Sequence, residues 1–316
     1  MLKIAIETSY TEKFAWVDNY WARLFMQQVF FAHNIELVRV SINKFNARKK
    51  CFIEYTLLSD KWENTTIKKN YIPHIIRSRK WVGVTHKYDV LKNFIVVPSQ
   101  KISILSNDKF ENYKFTETYQ PYTATLSSVF CNTTIQKSFH NKIVIKPIRA
   151  SWWKWIILTT IPELLKKKKK YIGLEELYIV QQFKDFSKWY PWICTGNHDV
   201  RFMFAGDKII EITLRTPKKW DFRSNLWSGW TQKNLQKAII PKDLLSLSKN
   251  IYKDLHLDGK DIFSMDFAYC KKEKRWYLLE INASPGTWFY QTDKKILMSI
   301  CRGLVMFFKK IKSSHT

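Results

Sequence analysis

Three observations predict an α/β (α+β) protein with more than one lobe. The first hundred residues alternate strand-like and helix-like periodicity, the signature of an open α/β sheet. Residues 200–215 and 262–282 read instead as pairs of alternating strands around short turns, the signature of antiparallel hairpins. The chain's 316 residues also exceed the roughly 100–200 of one ordinary domain.

The elements follow in order. KIAIE (3–7) is a first strand, and Val17, Tyr20, Trp21, Leu24 and Phe25 share one helical face behind it. IELVRV (35–40), YIPHIIRSR (71–79) and FIVVPS (94–99) are further strands, so a first lobe ends near residue 98. NDKFENYKFTETY (107–119) opens with the asparagine and aspartate of a helix start and is stopped by Pro121. KIVIKP (142–147) is a strand, and IPELLKKKKK (161–170) a short helix whose five lysines suit the negative end of the helix dipole. YIVQQF (178–183) is a strand, and VRFMFAGDKIIEITLR (200–215) a hairpin turning at Ala205-Gly206-Asp207. A helix over 234–255 leads to IFSMDFAY and RWYLLEIN, two strands joined by KKEKR. The segment from Ile296 to Lys312 carries Arg302 and is too short and interrupted to span a bilayer, so it predicts a closing amphipathic helix.

Hydrophobic content of 46% and charged content of 25% fit a soluble globular chain. The net charge is +26, from 53 Lys and Arg against 27 Asp and Glu. Two readings stand: a polyanionic partner such as nucleic acid, or lysine spread evenly over the surface. Cys51, Cys131, Cys194, Cys270 and Cys301 form no CxxC pair, which argues against a zinc site or disulfide framework and predicts a reducing, cytoplasmic setting. The N-terminus enters a strand with no signal-peptide core.

The densest chemical signal is Asp266 in SMDFAY with Glu280 and Asn282 in LLEINASPG. Residues two apart on a strand share a face, so Glu280 and Asn282 point together and Asp266 can join them from the neighbouring strand. Two carboxylates and an amide oxygen suit Mg²⁺, a hard cation that completes its shell with phosphate and water. Lys109 at a helix start, Lys146 at a strand end, Arg201 beside Asp199, and Arg215, Arg223 and Asn225 precede this cluster and offer charge to a polyphosphate.

In order along the chain, SNDKF (106–110), IVIKP (143–147), YIVQQF (178–183), NHDVRFMFAGDKII (197–210), DFRSNL (221–226) and SMDFAY with LLEINASPG (264–286) resemble the ATP-grasp carboxylate–amine ligases. The likeness is to the branch of ribosomal-protein glutamate ligases and glutathione synthetases. It implies an ATP-grasp fold: an N-terminal lobe (1–98), a small lid subdomain (99–180) and a C-terminal subdomain (181–316), the last two clasping nucleotide between antiparallel sheets. It implies that Lys109, Lys146, Ser151, Asp199 and Arg215 serve the nucleotide and that Gln181, Gln182 and Phe183 form the hinge against adenine. It further implies that Arg201, Arg223 and Asn225 act on the reacting groups, and that Asp266, Glu280 and Asn282 hold two Mg²⁺ ions, or Mn²⁺ in their place. The implied reaction activates an amino-acid or peptide carboxylate as an acyl-phosphate, which an amine then attacks. Acidic or ribosomal substrates and a homo-oligomer belong to that expectation, and a membrane partner does not. The alternative is a basic, polyanion- or nucleic-acid-binding protein whose ATP-grasp site is vestigial.

One departure stands out. The family's strand ending in Lys-Pro leads to a glycine-rich lid, where main-chain N–H groups approach phosphate. Here the lid reads RASWWKWI, and Trp152, Trp153, Trp155, Trp189, Trp192, Trp227, Trp230 and Trp288 all stand where the family has glycine. The chain holds only 8 glycines and as many as 14 tryptophans, and restoring glycine at these positions would shrink both deviations together. UGA is read as glycine in some bacterial lineages and as tryptophan in others, so these tryptophans read as glycines translated with the wrong table. The rival reading is an aromatic plug over a degenerate site.

Overall fold

In the computed structural model, which describes residues 1–7, 20–58, 64–78, 89–140, 142–149, 156–187, 190, 193, 196–217, 231–283 and 294–314, three main sheets succeed one another along the chain. The first contains β1 (Leu2–Glu7), β2 (Ile35–Val40), β3 (Tyr55–Leu58), β4 (Asn64–Ile67), β5 (Ile75–Ser78) and β6 (Ile95–Val97), with α1 (Tyr20–Ala32) crossing between β1 and β2. Its order is β4-β3-β2-β1-β5-β6, parallel among β2, β1, β5 and β6 and antiparallel at the β3 and β4 edge. Within residues 71–78 the expected strand is confined to β5. Pro73 has no N–H to give a ladder, and Tyr71 pairs separately with Phe52.

The helix expected over 107–119 is α3 (Lys109–Thr116), continued by a 3₁₀ turn at Glu117–Tyr119, and a helix that was not expected, α2 (Gln100–Asn107), precedes it. Asp108 between them is extended (φ −122°, ψ 107°), ends α2 and caps α3 by accepting the N–H groups of Phe110 and Glu111 at 3.0 Å each.

The second sheet is antiparallel, ordered β9-β8-β10-β7 from β7 (Thr123–Thr125), β8 (Lys142–Pro147), β9 (Ile157–Thr160) and β10 (Tyr178–Gln182). Helices α4 (Leu126–Cys131), α5 (Thr133–Ser138) and α6 (Ile161–Lys166) accompany it, and Leu126, Val129, Ile143, Ile145, Leu164 and Val180 form its core. The lysine run outlasts its helix: α6 stops at Lys166, and Lys168–Tyr171 form a 3₁₀ turn.

The third sheet, ordered β13-β12-β11-β14-β15, is antiparallel throughout. It comprises β11 (Asp199–Ala205), β12 (Lys208–Thr216), β13 (Thr231–Asn234), β14 (Ile262–Cys270) and β15 (Arg275–Asn282). Gly206 makes the β11–β12 turn at φ +64°, where a Cβ would sit 2.8 Å from the Gly259 carbonyl oxygen. The helix expected from residue 234 starts only after Pro241, as α7 (Lys242–Asp254): Asn234 ends edge strand β13, and Lys237–Ile239 make a separate 3₁₀ turn.

Each face of this sheet has its own helix. Leu244 and Ile251 of α7 pack on Phe202, Phe204, Phe263, Met265 and Phe267. On the other face α8 (Lys294–Ser313) buries Leu297, Ile300, Leu304 and Phe308 against Met203, Ala205 and Ile262 and also against Leu2, Ile4 and Ile35 of the first sheet. At roughly 1.5–3 kcal/mol per fully buried large apolar side chain, this shared core ties the first and third sheets together.

Candidate active site

The face of the third sheet that lies under α8 changes from apolar to polar part of the way along its strands. Register sets out the polar part in three rows. Arg215 of β12 stands opposite Asp199 of β11. In the next row Thr213, Arg201, Asp266 and Glu280 follow one another across β12, β11, β14 and β15. In the third, Glu211, Met203, Ser264 and Asn282 do the same. Period-two alternation brings every one of these side chains to one face.

Charges in this lattice are closely paired. Arg201 holds Asp266 with two hydrogen bonds, Nε to Oδ1 at 2.7 Å and Nη2 to Oδ2 at 2.6 Å. Arg215 donates Nε to Asp199 Oδ1 at 2.5 Å and Nη2 to Asp266 Oδ2 at 2.7 Å. Asn282 Nδ2 reaches Asp266 Oδ2 at 3.1 Å and Glu280 Oε1 at 2.9 Å. Burial alone would raise the Asp266 carboxyl, but the two guanidiniums overcome it and hold the group well below the usual carboxylate range. Asp199, equally buried with only Arg215 in contact, is pushed up to about 6. Its Oδ2 has no partner among the described residues. Burial also pushes the Glu211 carboxyl up to about 7, against a 2.6 Å hydrogen bond from Thr213 Oγ1 and the field of Arg201.

The two lysines arrive from outside this sheet. Lys109 is the first residue of α3, and Lys146 stands near the end of β8. Two contacts join those elements: the Lys109 N–H donates to the Ile148 carbonyl at 3.1 Å, and Arg149 Nε donates to Asp108 Oδ2 at 3.0 Å. Lys146 is lowered to about 8, by burial first and then by the charge of Lys109, while Glu280 opposes both. Lys109 is lowered by burial, against Glu280 and Asp108. Both lysines therefore stand within the electrostatic reach of Glu280.

The expected hinge is partly committed. Gln181 turns its side chain into the second sheet, where Nε2 donates to Thr123 Oγ1 at 2.9 Å. The Gln182 N–H donates to the Tyr122 carbonyl at 2.8 Å and the Phe183 N–H to the Lys142 carbonyl at 3.1 Å. Lys184 then binds Glu273, in the β14–β15 turn, at 2.6 Å. The segment following β10 thus meets the third sheet, through Lys184, at the end remote from Ser264 and Asn282. Ser151, Arg223 and Asn225 lie outside the described residues, as do the eight tryptophans at glycine positions.

Asp266, Glu280 and Asn282 converge, as their spacing predicted. Among the described residues no group of three or more His, Cys, Asp or Glu could enclose a metal. Two carboxylates and one amide beside two lysines instead fit Mg²⁺, which keeps part of its shell for phosphate and water. Sequence reasoning missed Glu211 and Thr213. Their signal was present in EITLR, where Glu211, Thr213 and Arg215 alternate on one face.

Residues 121–302 match the RimK-like ATP-grasp domain. An uncharacterized protein of Mycoplasma pneumoniae is 25% identical over 303 residues, covering 90% of this chain and 89% of that one. A probable alpha-L-glutamate ligase of Coxiella burnetii is 25% identical over 222 residues, 68% of each chain. Among solved structures, D-alanyl-alanine synthetase A of Vibrio cholerae superposes with a TM-score of 0.63 at 12% identity, covering 99% of this chain and 98% of that one. That last likeness is one of fold.

Proposed function

Because the chain belongs to the RimK-like ATP-grasp family, we propose that it joins the carboxylate of an amino acid or peptide to an amine, at the expense of ATP and through an acyl-phosphate. The observation that carries this reading is that Lys109 and Lys146 lie within electrostatic reach of Glu280, which Asn282 joins to Asp266. Phosphoryl transfer asks for in-line positioning and charge neutralisation rather than a dedicated base, and this site is rich in both signs of charge.

Bound Mg²⁺, as two ions or replaced by Mn²⁺, would draw charge from the phosphates. Asp266, Glu280 and Asn282 are the residues to hold it. Lys109 and Lys146 neutralise phosphate oxygens, with Ser151 in the lid beside them. Gln181, Gln182 and Phe183 border the adenine, and for Gln181 the contact is through main chain because its side chain is spent on Thr123. Asp199 fixes Arg215 in the nucleotide site. Arg201 steadies charge on the transferring phosphoryl group, and Arg223 and Asn225 serve the acceptor end. We assign residues 1–98, 99–180 and 181–316 to an N-terminal lobe, a lid and a metal-binding subdomain.

A donor that is an acidic peptide or ribosomal protein suits the charge of +26. No helix among the described residues is long and apolar enough to cross a membrane, and we place the protein in the cytoplasm, with self-association as a further expectation. The polyanion-binding alternative is not favoured, since it leaves the buried polar rows without a role. An ADP-release screen over amino acids and short acidic peptides tests the reading. Amine-dependent release, lost in Lys146→Ala and Glu280→Ala, is expected. Salt-sensitive polyanion binding with no ADP release under any condition would overturn it.

A further inference from the structure

Within the polar rows the opposite charges can be matched, and one acid is left over. Arg201 and Arg215 answer Asp199 and Asp266 through direct hydrogen bonds. Glu280 is answered by the fields of Lys109 and Lys146. Glu211 is 8% exposed and forms no ion pair among the described residues, in a chain that carries 53 Lys and Arg. Its one side-chain hydrogen bond among the described residues, from Thr213 Oγ1 at 2.6 Å, comes from a neutral hydroxyl. A hydroxyl orients a carboxylate without neutralising it, and the field of Arg201 is already spent largely on Asp266. A nearly buried carboxylate with no ion-pair partner of its own among the described residues is costly to keep. The group's upward displacement to about 7 is the expression of that cost.

Position says what could answer it. Just after the hinge, Lys184 meets the sheet at the β14–β15 turn through Glu273. From there the face runs through Asp199 and Arg215, then Arg201, Asp266 and Glu280, and then Glu211 and Asn282. Met203 already lies in that last row, and beyond it come Ala205 and Ile262, all in the core shared with the first sheet. With adenine at the hinge and phosphates at the carboxylate row, Glu211 lies on the far side of the phosphates, where the substrates must approach. Ser264, in the same row, is fully enclosed and contributes no ligand surface. Glu211 keeps an exposed edge beside Arg201, whose charge Asp266 already takes up.

We propose that Glu211, oriented by Thr213, is the binding group for the ammonium of the amine substrate. The assignment presupposes the ligase chemistry proposed above, and it specifies the acceptor: a primary amine that arrives protonated. Amino acids and peptides with a free amino terminus qualify, whereas uncharged nucleophiles make no use of Glu211.

Two measurements on the full chain test the two levels separately. Calorimetry with glycinamide, a cationic amine without a carboxylate, reads the Glu211 site alone. Binding is expected to the native protein and to weaken at least tenfold in Glu211→Gln, with a smaller, roughly threefold loss in Thr213→Val, which keeps the carboxylate. Equal binding by all three, or none by the native protein, overturns the assignment whether or not the protein handles ATP. Hydroxylamine trapping with Mg-ATP and the twenty amino acids reads the ligase chemistry. Hydroxamate from the native protein supports it, and none removes it while the glycinamide result still judges Glu211. In Glu211→Gln, ligation to glycinamide should fall at least tenfold, and hydroxamate formation, whose nucleophile is uncharged at neutral pH, less than threefold. A parallel loss of both would mark Glu211 as merely structural.

Discussion

Arg201 and Asp266 face each other across β11 and β14 and are joined by two hydrogen bonds of 2.7 and 2.6 Å. Arg215 and Asn282 occupy the same carboxylate, so the oxygens proposed to hold Mg²⁺ already carry four donated hydrogen bonds. A cation can take Asp266 only if some of these donors turn away, and a released Arg201 would be free to meet phosphate.

Asp266→Asn should therefore act on stability as well as on metal. It leaves the largely buried guanidinium of Arg201 without its carboxylate, and breaking a buried pair from one side costs about 3–5 kcal/mol. Glu280 is only half-buried and is held by one amide. Glu280→Gln should thus lose Mg-ATP affinity with a stability change within about 1 kcal/mol. Chemical denaturation beside calorimetry separates the two, and equal stability losses would contradict this division.

Lys146 predicts a proton linkage. Its ammonium is lowered to about 8 by burial and Lys109 in the ligand-free protein, and bound phosphate would raise it again. Mg-ATP binding near pH 8 should then take up protons, and affinity should fall as pH rises above 8. Titration in two buffers of different ionisation enthalpy measures the uptake, which Lys146→Met should abolish. Identical observed enthalpies in the two buffers would mean that no proton is taken up and that Lys146 stays charged throughout.

Glu211 makes stability depend on pH with a definite sign. Its folded pKa of about 7 exceeds the ordinary carboxyl value of 4.5, so between those values the folded state binds more protons than the unfolded one. Stability from this group is then fully present below about pH 4.5 and is lost as pH rises towards 7. A shift of this size corresponds to about 3 kcal/mol. Glu211→Gln should be more stable than the native protein at pH 8 and nearly equal to it at pH 4.5. Asp199, raised to about 6, acts in the same direction, so the difference between the two proteins, not the native slope, is the quantity to read.

Much of this site was legible in the chain. Period-two spacing put Glu280 and Asn282 on one face, and an aspartate followed by a helical run placed Lys109 at a helix start. Local spacing gives the face of a strand but neither its neighbours nor which end of the face meets the ligand. The capture of Asp266 by both arginines therefore came only with the β11–β14 register. Glu211 sat in an unremarkable alternating strand, and its isolation required knowing which acids already have partners. Similarly, α2 (Gln100–Asn107) went unread, although Asp108, which ends it, was legible as the cap of α3. Gln181 was assigned to the nucleotide by motif, whereas the register with Thr123 turns its side chain into the sheet.

The tryptophans make the last prediction. Trp276, where the family accepts an aromatic, is buried against Tyr190, Tyr269 and His198 as an ordinary core residue. Eight others stand where the resemblance implies glycine, and at the three in the lid glycine would permit the close approach of backbone to phosphate that an indole side chain opposes. If they are glycines written with the wrong table, their codons are UGA, while Trp276 is under no such constraint. A protein carrying glycine at all eight positions should then bind Mg-ATP at least tenfold more tightly than the tryptophan form. UGG codons at Trp152, Trp153 and Trp155, or equal and tight binding by both forms, would show that the aromatic lid is genuine.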